Sequence, residues 1–293
     1  MINGEQHNRD ERKLYEKGRT KLRKRKKQME RIERVKSVLE REGISYEETT
    51  VLKNGIDEHA LIIGDSSCRI TIYKNTFSEN VPDDVILKAI NDAKKRLPSQ
   101  EQIDKWSSWD YVRDNTRLVL RPRCTNDDER VLKRIINDEL EIVYKVFVSA
   151  GTIPVTPDIL KRFEVSENEL YLAALINVKG SVATKPLKDL MDIPTTIPMI
   201  VLSNKELYYG AAAIFASDML ENLCNDLEDD LYILPSSIHE CLVVPASSVT
   251  YETLTCMVKE VNETQVPDDE ILCSHPFFYE RASREITWMP KSA

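Results

Sequence analysis

The 293-residue sequence predicts an α+β fold: mixed and antiparallel sheets of short strands and hairpins covered by helices, behind a basic N-terminal helical extension. Three observations predict it. In the run Asp229–Pro245, two short apolar, β-favouring stretches flank Pro235-Ser236-Ser237, the pattern of a hairpin. Helix-like segments at 217–227 and 250–262 lead into and out of that run, which places the hairpin in a layer covered by helices. Finally, Arg9–Glu42 has no proline and only Gly18 as glycine, and is dominated by residues that favour helix.

In that first segment Met29, Ile32, Val35, Val38 and Leu39 recur at three- and four-residue spacing, so one side of its later half can pack. Upstream the stripe fades into Lys21–Lys27, which holds six cations and only Leu22 besides. Gly43 is a natural stop. Strands follow at 45–52, 58–63 and 69–73, the first two separated by Asn54-Gly55, a hairpin turn signal. A helix runs from Pro82 to Arg96, with Val85, Ile86, Ala89, Ile90 and Ala93 on one face. The segment 100–114 reads as one helix carrying Trp106 and Trp109 into the core. Thr116–Arg121 and Leu140–Ser149 read as strands, with a helix over Asp127–Ile136 between them.

Pro157 stands at a helix start, and Ser166 with Glu169 has capping-box spacing for the next helix. Gly180–Thr196 is loop-rich, with a helical turn between Pro186 and Pro194. Met199–Leu202 and Leu207–Phe215 read as strands, and the small residues Gly210–Ala213 call for a close backbone approach. Phe277–Tyr279 and Glu285–Trp288 form a closing hairpin. The organisation expected is an arm over 1–43 and a body over 44–288, the latter divisible at 150.

Hydrophobic residues make up 41% and charged residues 31% of the chain, enough for a real core with a heavily charged surface. The net charge of −8 hides an asymmetry: residues 1–42 hold 15 basic and 8 acidic residues, and the remainder 26 and 41. A basic arm on an acidic body points to nucleic acid, an acidic protein, or the chain's own body as what the arm contacts. No apolar window of about 18 residues occurs, so no membrane span is expected. The polar N-terminus is no secretory signal. Six scattered cysteines without a C-x-x-C pair fit a reducing cytoplasm better than disulfides or zinc. With eight glycines and no phosphate-binding loop, no nucleotide cofactor is expected.

Chemistry has one weak focus, Ser237, His239 and Glu240 at the hairpin turn. A serine near a histidine suggests nucleophilic catalysis, but the G-x-S-x-G elbow is missing. Histidine beside glutamate suggests a metal, but Val243 stands where H-E-x-x-H needs its second histidine. Asp229 and Asp230 lie at the far end of the strand, about 3.3 Å away per intervening residue. Cys273 and His275 are a further weak dyad.

Four segments carry a resemblance: Val112–Leu120; Leu202-Ser203-Asn204-Lys205 with Gly210-Ala211-Ala212; Asp230–Glu240, above all its Leu-Pro-Ser-Ser-Ile-His-Glu run; and Val261–Pro267. They resemble a bacterial domain-of-unknown-function family, number 5688, from about Val35 to Glu285. The resemblance implies a shared fold and a bacterial, cytoplasmic protein, and assigns no site; the Lys21–Lys27 cluster stands apart from it as an addition. The leading expectation is a non-enzymatic protein that binds a macromolecule through Lys21, Arg23, Lys24, Arg25, Lys26 and Lys27, with phosphate contacts that are salt-dependent and blind to sequence. Two alternatives stand beside it: a hydrolase or metal-dependent enzyme at the Ser237, His239 and Glu240 turn, and a structural protein that self-associates through its N-terminal helix.

Overall fold

The computed structural model describes residues 31–53, 56–64, 68–74, 76–78, 80–124, 131–149, 151–190 and 197–288. Lys21–Lys27, the Asn54-Gly55 turn and Asp127–Arg130 lie outside the described residues. Two compact units result, one ending at Ser99 and one beginning at Gln100 apart from a few residues near Ile56.

The first unit opens with helix α1, described over residues 31–41. Three antiparallel strands follow, β1 (Glu47–Lys53), β2 (Ile56–Ile63) and β3 (Ile70–Tyr73), in the order β1-β2-β3. Helix α2 (Asp83–Lys95) completes the unit. The apolar stripe of α1 is the reason it belongs here. Ile32, Val35, Val38 and Leu39 are buried in one cluster with Leu61, Ile63 and Ile72 of the sheet and Ile86 and Ile90 of α2.

In the second unit the segment 100–114 is two helices, α3 (Gln100–Trp106) and α4 (Trp109–Asn115). Ser108 makes the break: its side chain accepts from the Tyr111 amide and so caps a new helix. Strands β4 (Thr116–Pro122), β5 (Lys133–Ile135), β6 (Leu140–Val148) and β7 (Gly151–Pro154) form one antiparallel sheet, with β6 central and β5 and β7 sharing its second edge. The helix expected through Ile136 is therefore wrong at its end, because Lys133, Arg134 and Ile135 pair with Val143, Ile142 and Glu141. Helices α5 (Pro157–Phe163) and α6 (Glu167–Ser181) follow, the latter opened by the complete Ser166–Glu169 capping box.

The chain then passes straight from α6 into β8 (Val182–Pro186), a strand where a loop was expected. With β9 (Ile200–Asn204), β10 (Leu231–Ser237), β11 (Glu240–Pro245), β12 (Phe277–Glu280) and β13 (Glu285–Thr287) it builds a six-stranded antiparallel sheet, ordered β13-β12-β10-β11-β9-β8. Helices α7 (Ser217–Leu227) and α8 (Tyr251–Thr264) flank the central hairpin in sequence. The hairpin is where the sequence puts it, but its turn is Ile238-His239, two residues later than Pro235-Ser236-Ser237.

Both faces of this hairpin are covered, which explains its unbroken apolar runs. Leu231, Ile233, Cys241 and Val243 enter a cluster shared with Leu118 and Tyr144 of the four-stranded sheet. Leu234 and Val244 pack against Leu254 and Val258 of α8. The two sheets share that core, and the division between compact units falls at Ser99–Gln100.

Candidate functional site

The segment Gly210–Phe215 is not a strand but a buried 3-10 helix, and it positions the corner where the sequence candidates lie. A Cβ on Gly210 would stand 2.6 Å from the His239 carbonyl oxygen and 2.7 Å from the Asn204 nitrogen. Only glycine allows that approach, which is the constraint the small-residue run announces. Ahead of it, Leu207 and Tyr209 hold positive φ angles of 53° and 54°, a cost of about 1–2 kcal/mol each for residues with a Cβ. Asn204 holds the turn by donating to the Tyr208 carbonyl (2.8 Å) and accepting from the Tyr208 amide (3.1 Å).

His239 is built into this frame. Its Nδ1 accepts from the Tyr209 amide at 2.9 Å. Its Nε2, which therefore carries the proton, faces Glu270 Oε1 at 3.6 Å. Tyr208 stacks on the ring at 5.2 Å between centroids, and the His239 carbonyl accepts from Ser203 Oγ at 2.8 Å. Ser237 Oγ accepts from the backbone amide of His239 at 3.0 Å, not from its ring. Neither ring nitrogen offers a lone pair to a serine proton, so the corner lacks the nucleophile–base contact of a hydrolase. Glu240 pairs with Ser237 across the hairpin.

The other candidates are parted. At the far end of the hairpin Asp229 accepts from the Asp230 and Ser247 amides, and Asp230 from the Arg281 amide, so both cap backbone. Cys273 Sγ donates to the carbonyl of His275, while the His275 ring meets Glu139 at 2.7 Å. Burial pushes the Cys273 thiol up to about 12, the opposite of an activated nucleophile. A cleft of about 500 Å³ is lined by Arg123, Glu139, Asp268, Asp269, Cys273 and Ser274, among others. Among the described residues no group of three side chains is placed to hold a metal ion, no cysteine is in a disulfide, and no helix is long and apolar enough to cross a membrane.

The described cations of α1 are engaged within their own unit. Asp83 accepts from Arg34 (2.9 Å) and from Arg41 (2.9 Å). Lys36 reaches Glu33 and Glu48, each at 2.7 Å. Hydrogen bonds from both arginines hold the Asp83 carboxyl below the usual carboxylate range.

Sequence reasoning did not find Tyr208, Tyr209, Asn204 or Glu270 as partners of His239. A signal existed: two of the resemblance segments, the one around Ser203-Asn204 and Gly210 and the one ending at His239-Glu240, meet in this corner.

Among the described residues the fold is α+β, with two compact units and three antiparallel sheets, and the most distinctive sequence run ends in the corner packed against Gly210. The chain belongs to a family of unknown function (DUF5688), which matches residues 25–281. The match begins at Arg25, so Arg25, Lys26 and Lys27 fall inside the family and the cationic cluster is not wholly an addition to it. No curated protein and no solved structure matches the chain.

Proposed function

We propose that the chain is a non-enzymatic, cytoplasmic bacterial protein that binds the phosphate backbone of nucleic acid through Lys21, Arg23, Lys24, Arg25, Lys26 and Lys27. One observation carries this reading. Helix α1 is seated by four buried apolar residues, and its Arg34, Lys36 and Arg41 are taken up by carboxylates of the same unit. The six cations in seven residues just upstream are the densest positive charge in the sequence, and the reading rests on them. Charge balance supports it: residues 1–99 hold 22 basic and 17 acidic residues, and residues 100–293 hold 19 and 32. Phosphates attract the first part and are repelled by the second.

The test is a filter-binding titration of the full chain against duplex DNA and duplex RNA at about 50 mM salt, beside a variant with glutamine at all six positions. The native chain binds both duplexes and the variant loses binding. A native chain that binds neither, or a variant that binds as well, overturns the reading; retention of an acidic protein alone would replace it.

A hydrolase or metal enzyme at Ser237, His239 and Glu240 draws on one contact, the approach of Glu270 to His239. The lone pair of Nδ1, already taken by the Tyr209 amide, weighs against it. Self-association through the N-terminal helix would have to use residues ahead of Arg31, since the apolar stripe of 31–41 is buried at home.

A further inference from the structure

Helix α6 carries more apolar surface than its own unit covers. Leu170, Ala174, Val178 and Ser181 face inward and are buried. On the opposite side Leu172 is 52% and Ile176 is 69% exposed. A helix apolar on both sides calls for a cover on both sides, and a paired exposed patch of this kind marks an interaction surface.

The outward residues follow a two-fold pattern centred on Ala174. Leu172 and Ile176 stand two residues to either side, Glu169 and Lys179 five, Asn168 and Gly180 six. All six fall within about 60° of one direction at 100° per residue, along the row spaced by three and four that packs into a facing helix. If the same helix of a second copy runs antiparallel across it, Leu172 meets Ile176, Glu169 meets Lys179, and Asn168 meets Gly180. A side chain on Gly180 would touch nothing within 4 Å, so that end is open to a partner. Glu169 uses Oε2 for its capping box, leaving Oε1 to face a cation, and the Lys179 ammonium pairs only with the exposed Asp218.

We propose that α6 is the self-docking face of the chain, forming an antiparallel two-fold dimer about Ala174. The apolar pair supplies contact and the two Glu169–Lys179 pairs select the antiparallel register, as expected for an isologous interface. The turn that follows β9 is tethered to the end of the helix. Lys205 donates from its backbone to the Ser181 carbonyl (2.9 Å) and from Nζ to the Gly180 carbonyl (3.0 Å), holding the next turn beside it. There Leu207 is 61% and Tyr208 44% exposed. A standard interface buries about 800 Å² per partner; two helix side chains fall short of that and the added turn narrows the gap. The dimer is therefore weak and reversible.

Sedimentation velocity of the full chain over about 1–200 μM, the range in which a weak protein dimer dissociates, is the experiment. Native protein passes from monomer to dimer across the range. Ile176→Glu, at an exposed position, keeps the melting temperature and weakens association at least about a hundredfold. Lys179→Glu weakens it about 5–10-fold, and less at high salt. A native chain that stays monomeric, or Ile176→Glu protein that associates as tightly as native, overturns the proposal. Lys179→Glu protein that associates normally removes the antiparallel register. The six-glutamine variant still dimerises and Ile176→Glu still binds duplex, which keeps this outcome separate from that of nucleic-acid binding.

Discussion

In the first unit the ion pairs joining helix to sheet and helix to helix lie at the surface: Asp83 receives Arg34 and Arg41, and Glu48 receives Lys36 and His59. In the second unit the Arg121–Glu141 pair lies inside, and the Arg134–Glu167 pair is half-buried, each side chain 31% exposed. Glu141 is fully buried and meets Arg121, itself only 11% exposed, at 2.6 Å. Glu167 receives both arms of Arg134 at 2.9 and 2.6 Å, and also the Tyr144 hydroxyl. The Arg134 guanidinium lies 3.9 Å over the ring of Tyr171. Exposed pairs are screened and contribute little, whereas a buried charge stripped of its partner is expensive. The helix-to-sheet pairs of the first unit therefore add little to its small apolar cluster, whereas the second unit holds a buried carboxylate, Glu141, that its arginine must keep paired.

The largest effect should come from Arg121→Met, which strands Glu141. One oxygen of that carboxylate already has no hydrogen-bond partner, and the loss should reach about 3–5 kcal/mol in denaturant unfolding. Adding Glu141→Leu should recover most of it, because an apolar pair replaces a broken ionic one. An Arg121→Met protein as stable as native would break the contrast between the units.

Leu39→Ala comes next, at about 2–5 kcal/mol, since Leu39 is completely buried in the first unit's cluster. Hydrogen exchange should quicken in α1, β2 and α2 while β10 and β11 keep their protection. Equal loss of protection everywhere would erase the distinction between the units.

Glu167→Gln should cost about 1–3 kcal/mol at neutral pH, with a definite pH signature. Burial alone would raise the Glu167 carboxyl, but hydrogen bonds from Arg134 and Tyr144 outweigh it and hold it below the usual range. A carboxyl depressed by folding stabilises above its unfolded value, about 4.3, and that stability is lost as pH falls through the folded value. Melting curves of the native chain should therefore drop more steeply below about pH 4 than those of the variant; parallel curves would contradict the bridge.

The smallest effect belongs to Tyr279→Phe. Among the described residues the buried Tyr279 hydroxyl has no hydrogen-bond partner, so removing it should leave stability unchanged or raise it by up to about 1 kcal/mol. A clear loss by calorimetry would mean that the hydroxyl has a bonded partner.

These particulars show what the chain discloses before it folds. Local chemistry reads directly: the Ser166–Glu169 box, the hairpin around His239, and the apolar stripe of α1 each depend on residues a few positions apart. Pairing made by distant segments does not. Lys133-Arg134-Ile135 has little strand character and becomes β5 because β6 offers it an edge. Leu207–Phe215 has the length and apolarity of a strand, but Gly210 must press against the His239 carbonyl, and a tight 3-10 turn meets that demand. The His239 corner was half legible. The histidine stood out, while Tyr209, 30 residues before it, and Glu270, 31 after it, are joined to it only by the fold.

The central claim is that the outward chemistry of this protein lies in Lys21–Lys27, with the folded units as its carrier. The most direct measurement is the slope of log binding constant against log salt concentration for a fixed DNA duplex, taken for the native chain and for the six-glutamine variant. Six neutralised phosphates predict a slope near about −5, so affinity falls about a thousandfold between about 50 and 200 mM salt, with little binding left in the variant. A shallow slope, or the same steep slope in both proteins, would contradict the account.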